Sequence, residues 1–374
     1  MIYLDNAATT YIKPRDSYKK LKFCLNKCGG NPGRSSHRLS FAASEVIYNT
    51  REAISEHLGI SEPERVVFTY NATHALNLAI KAFITKKCHV IISDIEHNSV
   101  IRPIEELRRR LGVEYSTFNS DCSPLEAIPP LIRSDTIGII STLASNVTGK
   151  RVNLCELSSI AKKHNLFLIV DASQYIGHAQ INLESSPCDV LCAPSHKALF
   201  GIQGSGFAVF KSSERKGTLI EGGSGYDSKN PFMPMELPEG YEAGTPATPA
   251  IASLLGGLQF IRRVGVEEIE NKIFNLEQKL YERIASISNI DVLGHDSGIL
   301  SFAIKNVSSS KIASLLDMRS ICVRGGLHCA PSVHRKLGTD EYGAVRVSLS
   351  YFNTEKELDV FYKTMLKISL DNAV

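Results

Sequence analysis

The stretch that decides the fold is Phe167-Leu-Ile-Val-Asp171-Ala-Ser-Gln174, an apolar run that ends in an acidic residue. Short runs rich in Val and Ile are typical of strands that are buried on both faces of a parallel sheet. Other runs of this length lie on either side of it in the chain. Together with Phe167–Asp171 they predict one mostly parallel seven-stranded sheet: Val66–Tyr70, Val90–Ser93, Val113–Phe118, Thr136–Thr142, Val190–Ala193 and Gly206–Phe210.

Helical segments alternate with several of these runs, as in a doubly wound α/β sheet. The predicted helices are Ala75–Phe83, Ile101–Leu111 and Cys155–His164, and the longer amphipathic helix Ser40–Leu58 precedes the sheet. Residues 221–249 contain many Gly and Pro and predict a loop.

The last third of the chain mixes strands and helices, which predicts a smaller α+β domain. Its predicted elements are the helices Ile251–Val264, Val266–Ile287, Lys311–Met318 and Thr354–Leu370 and the strands Gly298–Ile304 and Val345–Ser350. We therefore expect an N-terminal arm (1–15) that contributes to the small domain, a large α/β domain (16–249) and a C-terminal small domain (250–374).

The composition is that of a globular protein, with 43% hydrophobic and 22% charged residues. The net charge of +3 does not indicate a nucleic-acid or membrane surface. No apolar run approaches the roughly 20 residues that span a bilayer, and the N-terminus lacks the layout of a signal peptide. We therefore expect a cytoplasmic protein whose nine Cys are mostly free thiols.

Two polar residues at predicted strand ends carry the first chemical signal. Asp171 ends one strand, and Lys197 comes directly after another. Ligands bind at the carboxyl ends of such strands, and a desolvated Lys suits Schiff-base chemistry. The alternatives to a chemical role are that Asp171 only caps a turn after its strand and that Lys197 lies on the surface. Together the two residues supply the acid and the lysine of a pyridoxal 5'-phosphate (PLP) site.

Several segments then match a known family in their order along the chain. The chain resembles the class V aminotransferase group of fold-type I PLP enzymes, and within it the cysteine desulfurases and selenocysteine lyases. The matching segments are Tyr3–Thr10, Gly30–Gly33 with Ser36-His37, Glu96–Asn98, Ser145–Gly149, Val170–Gln174, His196-Lys197, Glu242–Pro246, Arg324–Cys329 and Val345–Ser348.

The resemblance implies a role for each of four residues around the cofactor ring. Lys197 is similar to the Schiff-base lysine that later moves a proton, and Asp171 is similar to the partner of the pyridine nitrogen. Gln174 resembles the residue that binds the ring 3-oxygen. His97 resembles the catalytic histidine that stacks on the ring face.

The resemblance also implies the phosphate contacts. Ala72 and Thr73 open a predicted helix, and helix N-termini bind phosphate through free N–H groups. His196 resembles another phosphate contact. In the family, the pair that matches Gly244-Thr245 reaches the phosphate of the neighbouring subunit, which implies a homodimer.

For the substrate, the resemblance implies contacts from Asn146, Arg346, Arg324 and His37. The planar fork of Arg346 suits an amino-acid carboxylate. Cys329 matches the nucleophile that takes sulfur from L-cysteine, and Arg324 and His328 are expected to favour its thiolate. The short segment between Cys329 and Arg346 resembles the second desulfurase group, in which the loop is tight and a partner accepts the sulfur.

The sequence thus predicts a PLP-dependent cysteine desulfurase. A selenocysteine lyase, another class V enzyme such as an aminotransferase or C–S lyase, and a sulfur carrier without catalysis are the alternatives. No metal is expected, because His328, Cys329 and His334 lack a fourth ligand nearby. The sulfur acceptor remains open.

Overall fold

The computed structural model describes residues 1–33, 36–212 and 216–371 of the 374-residue chain. Its strands are β1 (Ile2–Tyr3), β2 (Val66–Thr69), β3 (His89–Ser93), β4 (Glu114–Phe118), β5 (Thr136–Thr142), β6 (Phe167–Asp171), β7 (Val190–Pro194), β8 (Gly206–Phe210), β9 (Ile290–Asp296), β10 (Ile299–Ile304), β11 (Ile321–Cys322), β12 (Arg324–Gly326) and β13 (Ala344–Ser348).

The helices surround these strands. They are α1 (Arg15–Lys27), α2 (Arg38–Leu58), α3 (Ala72–Phe83), α4 (Asn98–Leu111), α5 (Pro124–Ala127), α6 (Leu154–His164), α7 (Thr248–Val264), α8 (Val266–Ala285), α9 (Ser309–Asp317), α10 (Pro331–Leu337) and α11 (Glu355–Asp371). No helix in the described ranges is both long and apolar enough to cross a membrane.

The predicted seven-stranded sheet is confirmed, with the strand order β2-β8-β7-β6-β5-β3-β4. The pairs from β4 to β7 are parallel, whereas β8 runs antiparallel to both of its neighbours. Alternate residues enter different cores, because successive side chains in a strand point to opposite faces. Val90 and Ile92 pack with α3 and α4, whereas Ile91 packs with α6.

This order places the two predicted chemical residues side by side. Strands β6 and β7 are parallel neighbours, and Asp171 at the end of β6 lies opposite Cys192 of β7. Lys197 follows the end of β7 after two more residues. The carboxyl ends of the central strands therefore bring both residues to one edge of the sheet.

A second, antiparallel sheet has the order β12-β13-β10-β9. The N-terminal strand β1 pairs in parallel with β11, and Asp5 forms a bridge with Ser348 of β13. The first residues of the chain thus lie against elements from its C-terminal third. The division of the chain at residues 15 and 249 stays a prediction.

Helix α1 is absent from the sequence predictions. It is rich in Lys and Arg, and within it only Ser17 and Cys24 are buried. It packs on α7, where a Cβ at Gly256 would collide with the Asp16 carbonyl. Because this contact depends on a glycine of the partner helix, the weak apolar pattern of α1 itself does not predict it.

Candidate active site

A cavity of about 220 Å³ opens at the carboxyl ends of the central strands. Most of the predicted site residues line it: Ala72, Thr73, His97, Asn146, Asp171, Gln174, His196, Lys197, Arg324 and Arg346. Residues from three distant parts of the sequence thus meet in one space.

The floor of the cavity carries the acid and the lysine. Asp171 is 4% exposed, and one of its carboxylate oxygens, Oδ1, accepts a hydrogen bond from Ser173 N at 2.9 Å. Burial lowers the pKa of Lys197 to about 8, and the negative charge of Asp171 opposes this shift. The amine therefore exists in both protonation states near neutral pH, as proton transfer at carbon requires.

One wall is the N-terminus of α3, which is built to receive an anion. The Asn71 side chain caps the helix by accepting from His74 N at 2.9 Å. The first N–H groups of a helix have no partner within it, so those of Ala72 and Thr73 remain available beside the cavity. Next to them, the buried Nδ1 of His196 has no partner in the described part of the chain.

His97 lies on another wall and also caps a helix. Its Nδ1 accepts from Ser99 N at 3.0 Å at the start of α4. An accepting Nδ1 puts the proton of the neutral ring on Nε2. Burial, together with the positive charges of Lys197 and Arg324, lowers the pKa of His97 to about 4 against the effect of Asp171. The ring is therefore neutral at physiological pH.

Arg346, the arginine predicted to bind the substrate carboxylate, is held from two sides. Arg346 is 1% exposed; it donates to Asp5 Oδ1 at 2.8 Å and to the Asn146 carbonyl at 2.9 Å. Its Nε and the Asn146 Oδ1 are buried and have no partner among the described residues. A buried donor and a buried acceptor without partners thus lie at the Arg346 end of the cavity.

The predicted nucleophile lies at the rim, directly after the cavity-lining His328. Cys329 is exposed and has a positive φ of 58°, which turns the chain sharply at this point. Its carbonyl accepts from Asn98 N at 2.8 Å, and its Sγ lies 3.8 Å from the Nη2 of Arg324. The thiol therefore faces a cation, as expected from the sequence.

The expectation that His328 favours the thiolate by its charge is wrong. The ring is 3% exposed and donates from Nε2 to the Ala344 carbonyl at 3.0 Å. Burial and the nearby Arg346 lower the pKa of His328 to about 2. A neutral ring supplies no charge, so Arg324 alone carries this role in the structure.

Besides Cys329 at the rim, two predicted residues do not line this cavity. His37 is exposed and caps α2, with its Nδ1 accepting from Ser40 N at 3.3 Å. Thr245 is also exposed and accepts from Asn31 Nδ2 at 3.4 Å. Contact with the phosphate of a neighbouring subunit stays a prediction for Thr245.

The structure adds residues whose type and spacing did not point to a role in the site. Asp5 pairs with Arg346, Asn71 caps α3, and Ser99 links Thr73 to α4 through hydroxyl groups 2.8 Å apart. Asp5 lies in the N-terminal motif of the family resemblance, which was the available signal. Within the described ranges, no three residues of the metal-binding types cluster together.

These features fit PLP. The unpaired His196 nitrogen and the start of α3 suit a phosphate, and the buried carboxylate of Asp171 suits a protonated ring nitrogen. The neutral His97 ring offers a flat apolar surface, and Lys197 supplies the amine. A phosphate dianion and a planar heterocycle thus find matching partners in one cavity.

A profile of the family described as "Aminotransferase class-V" matches residues 2–361. The chain belongs to this family. Class V aminotransferases depend on PLP, in agreement with the cavity. The match spans nearly the whole chain and so includes both ends of the site, from Asp5 to Arg346.

Relatives in the class V family carry more specific names. The chain is 29% identical to a probable cysteine desulfurase of Methanothermobacter thermautotrophicus, over 98% of this chain and 94% of the relative. It is 27% identical to a probable cysteine desulfurase of Synechocystis sp., over 98% of this chain and 90% of the relative.

Solved structures agree on the fold. A cysteine desulfurase from Thermococcus onnurineus superposes with a TM-score of 0.89 and 25% identity, covering 99% of this chain and 95% of that one. A cysteine desulfurase from Escherichia coli gives 0.89 and 22%, covering 100% and 95%. The predicted PLP fold type I is confirmed.

Proposed function

We propose that this class V protein is a PLP-dependent cysteine desulfurase, which converts L-cysteine to L-alanine and keeps the sulfur as a persulfide on Cys329. The observation that carries the proposal is the position of Cys329. An exposed thiol beside Arg324 directly follows a residue that lines the cavity, at 3.8 Å from Sγ to the guanidinium. An aminotransferase has no use for a thiol there.

The proposed cofactor contacts follow from the cavity. The start of α3 and His196 hold the phosphate, Asp171 keeps the ring nitrogen protonated, and His97 and Gln174 contact the ring. Bound PLP supplies an electron sink that acidifies the Cα proton of an amino acid. Lys197 Nζ then removes and returns this proton, since its lowered pKa of about 8 leaves neutral amine available.

Substrate recognition uses the unpaired groups at the other end. The buried Nε of Arg346 donates to the carboxylate of L-cysteine. Asn146 donates its Nδ2 to the His328 carbonyl at 2.6 Å and so joins the carboxylate site to the Cys329 segment. Binding of the carboxylate thereby fixes the substrate sulfur relative to the thiol.

Sulfur transfer to Cys329 balances without another reagent. The S–S bond forms as the Cβ–S bond of the substrate breaks, and Cβ takes up a proton. L-cysteine and the thiol thus give L-alanine and the persulfide, with sulfur oxidised and carbon reduced. Arg324 places a positive charge 3.8 Å from the attacking sulfur.

We also infer that a sulfur acceptor must come to Cys329. The segment from Cys329 to Lys336 is bound to the rest of the chain at two places. Asn98 N donates a hydrogen bond to the Cys329 carbonyl, and the Nζ of Lys336 lies 2.6 Å from Asp94. A persulfide held this way stays at the rim. The expected result is that turnover rises when a protein or small thiol able to reach the rim is added.

A homodimer is the proposed assembly. Thr245 lies outside the cavity of its own chain, and the preceding loop exposes large apolar side chains, with Tyr226 at 56%, Phe232 at 77% and Met235 at 49%. Exposed apolar clusters of this kind mark protein interfaces. Light scattering on the purified protein tests this, and a monomer of full activity would contradict it.

The function is tested with the purified protein and added PLP and L-cysteine. We expect visible absorption from the lysine-bound cofactor, and equal amounts of alanine and released sulfide when a reductant is present. Cys329→Ala should abolish alanine formation, whereas Cys122→Ala, a change at another exposed thiol, should not. Equal alanine formation by all three proteins would refute the role of Cys329. Activity of Cys329→Ala on selenocysteine alone would favour the lyase.

A further inference from the structure

The N-terminal segment 5–13 runs along the proposed site before α1 begins. Asp5 binds Arg346 at 2.8 Å, and the backbone amide of Ala7 donates to Ser348 Oγ at 2.8 Å. Ala7 and Ala8 then line the cavity itself. The segment thus continues from the carboxylate end of the cavity to its opposite side.

At that side the segment binds the loop that carries Lys197. Thr10 N donates to the His196 carbonyl at 3.1 Å, and Thr9 Oγ1 donates to the same oxygen at 3.1 Å. Thr10 Oγ1 lies 3.1 Å from the Lys197 carbonyl. Both peptide groups that flank the Lys197 Cα atom are therefore held by two threonines.

Lys13 completes this arrangement. Its Nζ donates to Thr10 Oγ1 at 2.5 Å and to the His196 carbonyl at 3.0 Å. A hydroxyl that accepts from Lys13 must direct its single proton elsewhere, and two carbonyls are within reach, that of Lys197 at 3.1 Å and that of His196 at 3.2 Å. Either bond holds a peptide group that flanks the Lys197 Cα atom. Hydrogen bonds in such a chain strengthen one another.

Lys13 has no other apparent task. Among the described residues it forms no ion pair, and burial lowers its pKa to about 7. A neutral amine still has two N–H donors, so both contacts persist on either side of this pKa. A partly buried lysine without a carboxylate is costly, which indicates a use for it.

We propose that Lys13 is a positioning residue for Lys197: through Thr10 and the His196 carbonyl it fixes the backbone from which the catalytic amine extends. The inference rests on the role proposed above for Lys197. The other end of the loop is held separately, because Ser17 Oγ donates a hydrogen bond to the Phe200 carbonyl at 3.0 Å. Loss of Lys13 should therefore loosen the Lys197 end of the loop and leave the fold intact.

The test replaces Lys13 by Met, which keeps the length of the side chain and removes its donors. A displacement near 1 Å at a reacting group costs up to about 100-fold in rate, so we expect kcat to fall about tenfold with KM for L-cysteine changed less than about twofold. Lys22→Met, at an exposed lysine of α1, is the matched control and should change neither constant.

Hydrogen exchange gives a readout that does not require turnover. The amides of Phe200 and Gly201 donate to the carbonyls of Lys197 and Ser195, at 2.9 and 2.8 Å. We expect peptides over residues 196–201 to exchange severalfold faster in Lys13→Met than in wild type or Lys22→Met, with and without PLP. Alanine formation by wild type tests the proposed function separately, so the two ideas can fail independently.

Thr10→Val supplies a second variant, should Lys13→Met fail to fold. It removes the hydroxyl between Lys13 and the Lys197 carbonyl, so on its own it should also lower kcat and speed exchange at 196–201. Where both single variants fold, the double variant should lose less than the product of the two single losses, because the two changes break a shared chain of contacts. Unchanged kcat in Lys13→Met, reduced kcat with unchanged exchange at 196–201, or fully additive losses would each overturn the proposal.

Discussion

Glu96 is a fully buried carboxylic acid next to the proposed cofactor site, and we expect its protonation to contribute to the pH dependence of stability. It is 0% exposed; Oε1 accepts from Thr142 N at 2.7 Å and from the Ser93 hydroxyl, while Oε2 has no partner in the described residues. Burial, with a contribution from the negative charge of Asp171, raises the pKa of Glu96 to about 8.

The sign of the effect follows from proton binding. Between pH 4.5 and about 8 the folded chain keeps the Glu96 proton, whereas the unfolded chain releases it. Raising the pH through this window therefore favours unfolding, and the stability that Glu96 contributes at low pH is lost by about pH 8. Each pH unit corresponds to about 1.4 kcal/mol, so the loss between pH 5 and pH 7.5 is at most about 3 kcal/mol.

This free energy converts to a measurable shift of the melting temperature. Unfolding entropy is about 2 cal/mol/K per residue, or roughly 0.8 kcal/mol/K for 374 residues. A change of 3 kcal/mol then corresponds to about 4 °C. Glu96→Gln keeps the Oε1 acceptor and cannot ionise, so its melting temperature should rise relative to wild type by up to this amount between pH 5 and pH 7.5.

Thermal denaturation of both PLP-loaded proteins at several pH values measures the difference. At pH 5 the variant should be the less stable protein, because its amide N–H groups lack partners. Glu282→Gln, at an exposed glutamate of α8, should follow wild type at every pH. If the curves of Glu96→Gln and wild type run parallel from pH 5 to pH 7.5, Glu96 is ionised in the folded protein and the reasoning fails.

Two further changes probe the charges around the site. Arg324→Met removes the guanidinium 3.8 Å from Cys329 Sγ. An ion pair at this distance in water contributes about 1 kcal/mol, so alkylation of Cys329 by iodoacetamide should slow about fivefold. Peptide mass spectrometry follows the alkylation, and an unchanged rate would remove the electrostatic role of Arg324. Asp5→Asn leaves Arg346 buried without its carboxylate, which should cost about 3 kcal/mol and lower the melting temperature by about 4 °C. Asp291→Asn at an exposed position should not lower it. Equal melting temperatures for Asp5→Asn and wild type would show that Asp5 does not balance the charge of Arg346.

The large sheet was predictable because its buried strands are rich in Val, Ile and Leu, which is typical of strands covered on both faces. Thr136–Thr142 and Phe167–Asp171 are predicted to the residue, since each is a short run centred on Ile, Leu or Val that ends in a polar side chain. The antiparallel direction of β8 was not predictable in the same way. A buried strand has the same composition in either direction, and only its pairing with β2 and β7 reveals the difference.

Hydrophobic periodicity placed the starts of two helices too late, although the family resemblance already places Ala72 and Thr73 at the start of α3. The apolar pattern suggests Ala75 and Ile101 as starting points, whereas α3 begins at Ala72 and α4 at Asn98. The first turn of each helix faces the cavity and carries polar residues, so hydrophobic periodicity does not reach it. The caps that define these turns, Asn71 and His97, are themselves parts of the site.

The cofactor end of the site could be predicted because its residues are recognisable by type and by their place after a strand. A lysine and an acid at neighbouring strand ends suffice to suggest PLP chemistry. The protonation state of His328 could not be predicted, since it depends on a burial of 97% that no local pattern records. A histidine beside a cysteine in sequence predicts an electrostatic role, and its environment removes that role.

The N-terminal motif marks the limit of reading chemistry from sequence. Asp5 and Arg346 are separated by 341 positions, and Thr10 and Lys197 by nearly half the chain, yet each pair is in direct contact. None of the motif residues has a side chain that suggests PLP chemistry, so only the fold explains why they belong to the site. Because one short segment touches both Arg346, the proposed carboxylate-binding residue, and the backbone of Lys197, the proposed catalytic lysine, we expect its geometry to influence the distance between the two groups that an amino-acid substrate must span.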